Sequence, residues 1–161
     1  MSETSTPTRL HFEAIAPGTR FDIGSQVMTR EEVVAFASRY DPQPFHLDDA
    51  AAAAHPFFER LSASGWHTAV VMHLLWERFA KARGLEGLAG AGVDQIRWIR
   101  PVYPGDTLSG EAELLSVRAS RSNPSRGIVT MRMSLQNQHG DQVASMVVTA
   151  LFPRGTNEEP G

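Results

Sequence analysis

The chain is 161 residues long, 42% hydrophobic, free of cysteine and carries a net charge of -3. That length buries enough core for one domain to fold unaided, and the lack of Cys excludes disulfides, thiolate metal sites and cysteine nucleophiles. The slightly acidic balance gives no general basic field for nucleic acid or an anionic membrane, and the longest apolar run, Ala69 to Trp76 broken by His73, is too short to span a bilayer.

In chain order, residues 1–8 and 154–161 are expected as disordered ends around a single domain, 9–153. The polar, Ser/Thr-rich stretch from Met1 to Arg9 has no apolar core, so export is not expected and the cytoplasm is the expected compartment. Thr29 followed by Glu32 is a capping-box pattern, and Val33, Val34, Phe36 and Ala37 recur at helical spacing until Asp41-Pro42. A short helix is therefore expected over about Arg30 to Arg39. Asp48 can cap a brief Ala-rich turn, Asp49 to Ala54, ending at Pro56. From Gly65 to Lys81 the pattern is helical again and apolar on nearly every face between Ala69 and Leu75, the mark of a buried helix. Its His73 is expected as a satisfied core histidine, with Trp76 and Phe79 as ordinary core.

Gly84, Gly87, Gly90 and Gly92 then mark a flexible connection, after which the period changes. Val129, Met131, Met133 and Leu135 alternate with Thr130, Arg132, Ser134 and Gln136, as in a strand with one buried face. Similar strands are expected near Val93 to Arg100, Leu108 to Ala119 and Val143 to Phe152. Turn chemistry at Pro101 to Asp106, Ser122 to Gly127 and Asn137 to Asp141 gives short connections, which imply antiparallel neighbours. The expected class is α+β, with a long antiparallel sheet curled around one hydrophobic helix.

Two clusters carry chemistry. Tyr40-Asp41-Pro42-Gln43-Pro44-Phe45-His46 sets a carboxylate and an imidazole five residues apart on a segment stiffened by two prolines. Each proline biases the residue before it toward extended geometry, so Asp41 and His46 are expected at the ends of a bent loop, facing one space that could hold a water. The plain alternative is a turn-forming Asp and a surface imidazole. Ser62-Ala63-Ser64-Gly65-Trp66-His67 opens the long helix and offers backbone N–H groups to an oxygen that becomes negative, or is simply a capped helix start. Neither serine lies in a Gly-x-Ser-x-Gly elbow, which argues against a nucleophile. His67 and His73 are six apart, on different faces of a helix, and no His-x-x-x-His spacing occurs, so no metal is expected. His67 and Trp66 are expected to shape a pocket.

These residues resemble the MaoC-like dehydratases, a hot-dog-fold group that includes R-specific enoyl-CoA hydratases. That family carries an Asp-x-Asn-Pro-x-His motif after a short helix; here the run is Asp41-Pro42-Gln43-Pro44-Phe45-His46, with Gln43 in the place of Asn. Ser64-Gly65-Trp66 matches the family's glycine at the start of the central helix, without the usual His-Gly-Met wording. Arg97-Trp98 and Arg100-Pro101-Val102-Tyr103-Pro104-Gly105-Asp106 look like its Pro-Val-x-x-Gly-Asp turn. The resemblance covers roughly residues 10 to 152.

It implies a single hot-dog fold and reversible hydration of a trans-2-enoyl-CoA to an (R)-3-hydroxyacyl-CoA. Asp41 and His46 would grip the water, a carboxylate base would take a proton as the oxygen attacks C3, and the Gly65 N–H, or that of Trp66, would meet the charge on the thioester oxygen. Gln43, Ser64, Trp66, His67, Arg97 and Arg100 are the expected substrate contacts; Arg97, Arg100, Arg118, Arg121 and Arg126 are candidates for CoA phosphates. No cofactor is implied beyond CoA as part of the substrate. The exposed edge of a curled sheet must be covered, and the family's solution implies a homodimer, or a higher assembly of dimers, with one continuous sheet. Two other functions fit the same residues: an acyl-CoA thioesterase and a noncatalytic acyl-CoA-binding subunit.

Overall fold

The computed structural model describes residues 8–155, so most of the two expected disordered ends, 1–7 and 156–161, lies outside the described residues. The described remainder of those ends is tied down. The carbonyl of Thr8 accepts from Arg83 Nε at 2.7 Å, Arg154 N donates to Ser125 O at 2.9 Å, and Gly155 N donates to Glu13 Oε1 at 3.0 Å.

Strand β1 (Arg20–Val27) is followed by helices α1 (Arg30–Tyr40), α2 (Asp49–Ala53) and α3 (Gly65–Arg83), and then by strands β2 (Ala89–Trp98), β3 (Thr107–Ala119), β4 (Arg126–Gln136) and β5 (Gln142–Pro153). The helix starts are as the sequence dictates. Thr29 Oγ1 accepts from Glu32 N and donates to Glu32 Oε2, so the N-cap forms as expected, with the return bond made by the hydroxyl rather than by the backbone N–H of Thr29. Asp48 accepts from Ala51 N on α2, and α3 ends on Gly84, whose φ of 67° is the left-handed cap that glycine adopts without strain.

The five strands form one antiparallel sheet in the order β1-β3-β4-β5-β2. α3 lies across it, so the fold is α+β, a single hot-dog domain wrapped on one long helix. Val71, Met72, Leu75, Trp76 and Ala80 of α3 are buried with Leu108, Leu114, Val129, Met131, Met133 and Leu135 of the sheet. Full burial of side chains such as Leu75 contributes roughly 1.5–3 kcal/mol each.

Four points depart from expectation. β1 has no counterpart in the sequence pattern. It is an edge strand whose alternation is broken by a bulge between Asp22 and Gly24, where Gly24 takes a φ of +92° and donates its N–H to Asp22 Oδ1. The connection Pro101 to Asp106 does not join neighbours: β2 and β3 lie at separate places in the sheet, β2 pairing with β5 at the far edge. The glycine-rich stretch expected as a flexible connection supplies the first half of β2, through Gly90 and Gly92. Finally, α3 is not buried on all sides. Its outward stripe includes Trp66, Val70 and Leu74, and His73 is an exposed residue paired at i,i+4 with Glu77 rather than a core histidine.

Candidate active site

The site is assembled where the end of α1, the start of α3 and the end of β2 meet. Asp41 caps the C-terminus of α1, its N–H donating to Ala37 O at 3.0 Å, with φ −152° and ψ 67°. Pro42 cannot continue the helix, and Pro44 opens a single 3-10 turn, Pro44–His46, that swings the imidazole back toward the carboxylate. Asp41 Oδ2 stands 3.4 Å from His46 Nε2, with both side chains mostly buried at 16% and 7% exposure.

Each member of this pair is fastened from behind. His46 Nδ1 lies 2.7 Å from the carbonyl of Ser62; a carbonyl only accepts, so Nδ1 carries the hydrogen and Nε2 faces Asp41. Asp41 Oδ1 accepts from Gln43 Nε2 at 2.8 Å and Oδ2 accepts from Ser64 Oγ at 2.6 Å. Burial alone pushes the Asp41 carboxyl up, yet the hydrogen bonds from Ser64 and Gln43 and the adjacent His46 together hold it below its ordinary 3.8. The carboxylate is therefore charged at neutral pH.

The segment Ser62-Ala63-Ser64 that supplies these partners is itself pinned on two sides. Ser62 N donates to Phe45 O at 3.2 Å, and Ala63 N donates to Val102 O at 2.7 Å, so the loop 41–46 and the turn 101–106 are joined through it. Asp106 is buried and closes that turn, accepting from Tyr103 N and from Gln138 Nε2, each at 2.9 Å.

At the start of α3, Ser64 Oγ also accepts from Trp66 N at 3.2 Å. Of the two backbone donors considered for an oxyanion, Trp66 N–H is thus already used. Gly65 N–H has no hydrogen-bond partner among the described residues and sits at the positive end of a 19-residue helix.

A cavity of ≈ 350 Å³ opens beside these groups. Asp41, Gln43, His46, Gly65, Trp66 and Arg100 all line it. The other expected contacts stand elsewhere. Ser64 is fully buried behind Asp41 and acts on the carboxylate. His67 points away into α1, stacked on Phe36 with ring centroids 4.8 Å apart and its Nδ1 buried without a partner. It falls on a different face of the helix from its neighbour Trp66, because adjacent residues on a helix diverge by about 100°. Arg97 lies outside the cavity and donates to the adjacent carbonyl of Ile96, while Arg118 and Arg121 line a separate shallow concavity with Ser120 and Ser122.

Phe58 is also in the wall, together with residues not singled out as contacts: Thr68, Trp98, Ile99 and Val143. Trp98 carried a signal, because it sits inside the Arg97-Trp98 to Asp106 run. Val143 carried none, since only the β2–β5 pairing brings it there.

The chain matches the family "MaoC like domain" over residues 12–137. It is 30% identical over 139 residues to the uncharacterized protein YdeM of Bacillus subtilis, which covers 85% of this chain and 94% of YdeM. A shorter match, 33% identical over 78 residues, joins 48% of this chain to 22% of a mesaconyl-CoA hydratase from Cereibacter sphaeroides. Among solved structures, a MaoC-like dehydratase from Rhodospirillum rubrum superposes with a TM-score of 0.79 at 37% identity, covering 91% of this chain and 99% of that one. With the fold, the Asp41/His46 loop and these matches in agreement, the chain belongs to the MaoC-like dehydratase family.

Proposed function

We propose that this protein adds water reversibly across the double bond of a trans-2-enoyl-CoA, giving an (R)-3-hydroxyacyl-CoA. The observation that carries this reading is the fixed pair of Asp41 Oδ2 and His46 Nε2, 3.4 Å apart on the wall of one cavity. Asp41 is held as a carboxylate and His46 Nε2 presents a lone pair when the ring is neutral. Two acceptors face each other, and a water can satisfy both by giving one hydrogen to each. Its own lone pair is then free to attack C3.

In the forward direction the water oxygen bonds C3 while one water proton passes to His46 Nε2, in place of the carboxylate base that the family resemblance implies. The π electrons move toward the thioester, and charge gathers on its carbonyl oxygen, where Gly65 N–H is the free donor. The imidazolium so formed lies beside the Asp41 carboxylate and returns a proton to C2 on the same face, restoring the neutral ring. Gly65 N–H supplies a term of the size typical for one oxyanion donor, roughly 3–4 kcal/mol. No cofactor enters these steps.

The assembly proposed for this activity is a homodimer joined along β2. That strand is an edge of the sheet, and Val93 on it, Ile99 just beyond it and Val70 and Leu74 on α3 are exposed apolar residues.

The test is a paired assay on crotonyl-CoA. Hydration removes enoyl absorbance without releasing thiol. Release of free CoA at the rate of absorbance loss would make the protein a thioesterase instead, and thermal stabilisation by crotonyl-CoA without turnover would make it a binding subunit.

A further inference from the structure

Trp98 is the last residue of β2, and its indole lies against the first residue of α3. A Cβ placed on Gly65 would stand 2.5 Å from both Cε2 and Nε1 of Trp98 and 2.7 Å from Cδ2, closer than nonbonded carbon atoms approach. The same indole meets Trp66 edge-on, with centroids 5.1 Å apart and planes at 75°. Both tryptophans line the cavity that holds Asp41 and His46, and both are about half exposed.

Two consequences follow. Gly65 is glycine here because Trp98 occupies the space a side chain would need, a requirement of packing rather than of backbone dihedrals. And the indole, packed against the Cα of Gly65 and lining the cavity, borders the room left for the first carbons of an acyl group whose thioester carbonyl meets the free N–H of Gly65. Apart from Phe58, the remaining apolar wall is built from small or branched side chains, Ala63, Ile99, Pro101, Val102 and Val143. Trp98 is the largest group that limits it from the strand side.

We propose that Trp98 is the specificity-determining residue of this site, restricting it to short acyl thioesters by packing its indole over Gly65. The inference rests on the acyl-thioester reading of the cavity but not on turnover. It is tested with the saturated analogues butyryl-CoA and decanoyl-CoA, which bind without reacting, titrated calorimetrically into the wild-type protein and into Trp98→Ala and Trp98→Phe.

The wild type is expected to prefer butyryl-CoA. Trp98→Ala should shift the ratio of the two affinities toward decanoyl-CoA by on the order of 10-fold or more, the scale on which apolar pockets discriminate by size, and Trp98→Phe should fall between. In the same way, Gly65→Ala should lose butyryl-CoA binding in the wild-type background and recover it when combined with Trp98→Ala. An unchanged ratio in a Trp98→Phe protein that melts like the wild type would overturn the proposal, as would a Gly65→Ala defect of equal size in both backgrounds. The two readings separate cleanly. A shifted ratio with no crotonyl-CoA hydration by the wild type leaves the specificity wall standing and removes the hydratase, whereas hydration with an unshifted ratio does the reverse.

Discussion

The two walls of the cavity are built on opposite principles. On the loop side, Asp41 and His46 are mostly buried and held by Gln43, Ser62 and Ser64 through bonds of 2.6–2.8 Å. On the strand side, Trp98, Ile99 and Arg100 stand half exposed at the end of an edge strand, and the Arg100 guanidinium lies 4.0 Å from Asp141. The chemistry is thus preorganised within one chain. The wall that would meet an acyl group is half exposed in the single chain, on the edge at which the proposed dimer would form.

The largest expected effect breaks the loop wall. Asp41→Asn keeps the shape and can still accept from Ser64, but it removes the charge that would steady an imidazolium, so crotonyl-CoA hydration should fall by roughly 100- to 10,000-fold with the melting temperature little changed. His46→Ala should be comparable. Wild-type rates in Asp41→Asn would dissolve the contrast between the walls.

The strand wall is broken by Val93→Lys, which places a charge in the middle of β2. The dimer should give way to monomer by light scattering; a dimer of unchanged stability would mean that some other surface joins the copies.

A smaller change sharpens the loop wall. Ser64→Ala removes both the donor to Asp41 and the N-cap of α3, which should destabilise the protein by about 1 kcal/mol. Because Ser64 lowers the Asp41 pKa, its loss should raise the pH at which the Asp41 carboxyl gives up its proton, measured by NMR titration of that carboxyl. The linkage has a stability arm as well. A carboxyl held below its unfolded 3.8 stabilises the fold above that value, and this is lost as pH falls through the folded pKa.

The smallest effect belongs to His67, which stands behind the loop wall. Burial lowers its pKa below 6.5, with Glu32 opposing. The unfolded chain takes up a proton first, so stability should decline as pH drops below 6.5. His67→Phe, which keeps the stack on Phe36, should flatten that slope in thermal melts without moving the hydration rate at neutral pH.

How much of this was legible in the sequence differs between the walls in the same way. The loop wall is written locally. Prolines at 42 and 44 set the turn, Thr29/Glu32 fixes where α1 begins, and the five-residue spacing brings Asp41 to His46. What escaped was the use of Ser64, whose position as helix cap was clear but whose hydroxyl reaches 23 residues back to Asp41. The strand wall depends on long-range pairing. A short connection between β2 and β3 suggested neighbours, yet β2 joins β5, and that choice alone brings Val143 beside Trp98 and Arg100. The apolar outward stripe of α3 likewise read as buried, because a sequence records that a residue is apolar and not which surface covers it. His73 on that stripe and His67 on the inner side were exchanged in expectation for the same reason.

The central claim is that Asp41 and His46 deliver a water to carbon rather than to the thioester carbonyl. Turnover of crotonyl-CoA in oxygen-18 water, followed by mass spectrometry of wild type and Asp41→Asn, tests it directly. The account predicts one labelled oxygen on C3 of an intact (R)-3-hydroxybutyryl-CoA, formed by the wild type and not by the variant. Label in the carboxylate of a released acid, or equal incorporation by both proteins, would contradict it.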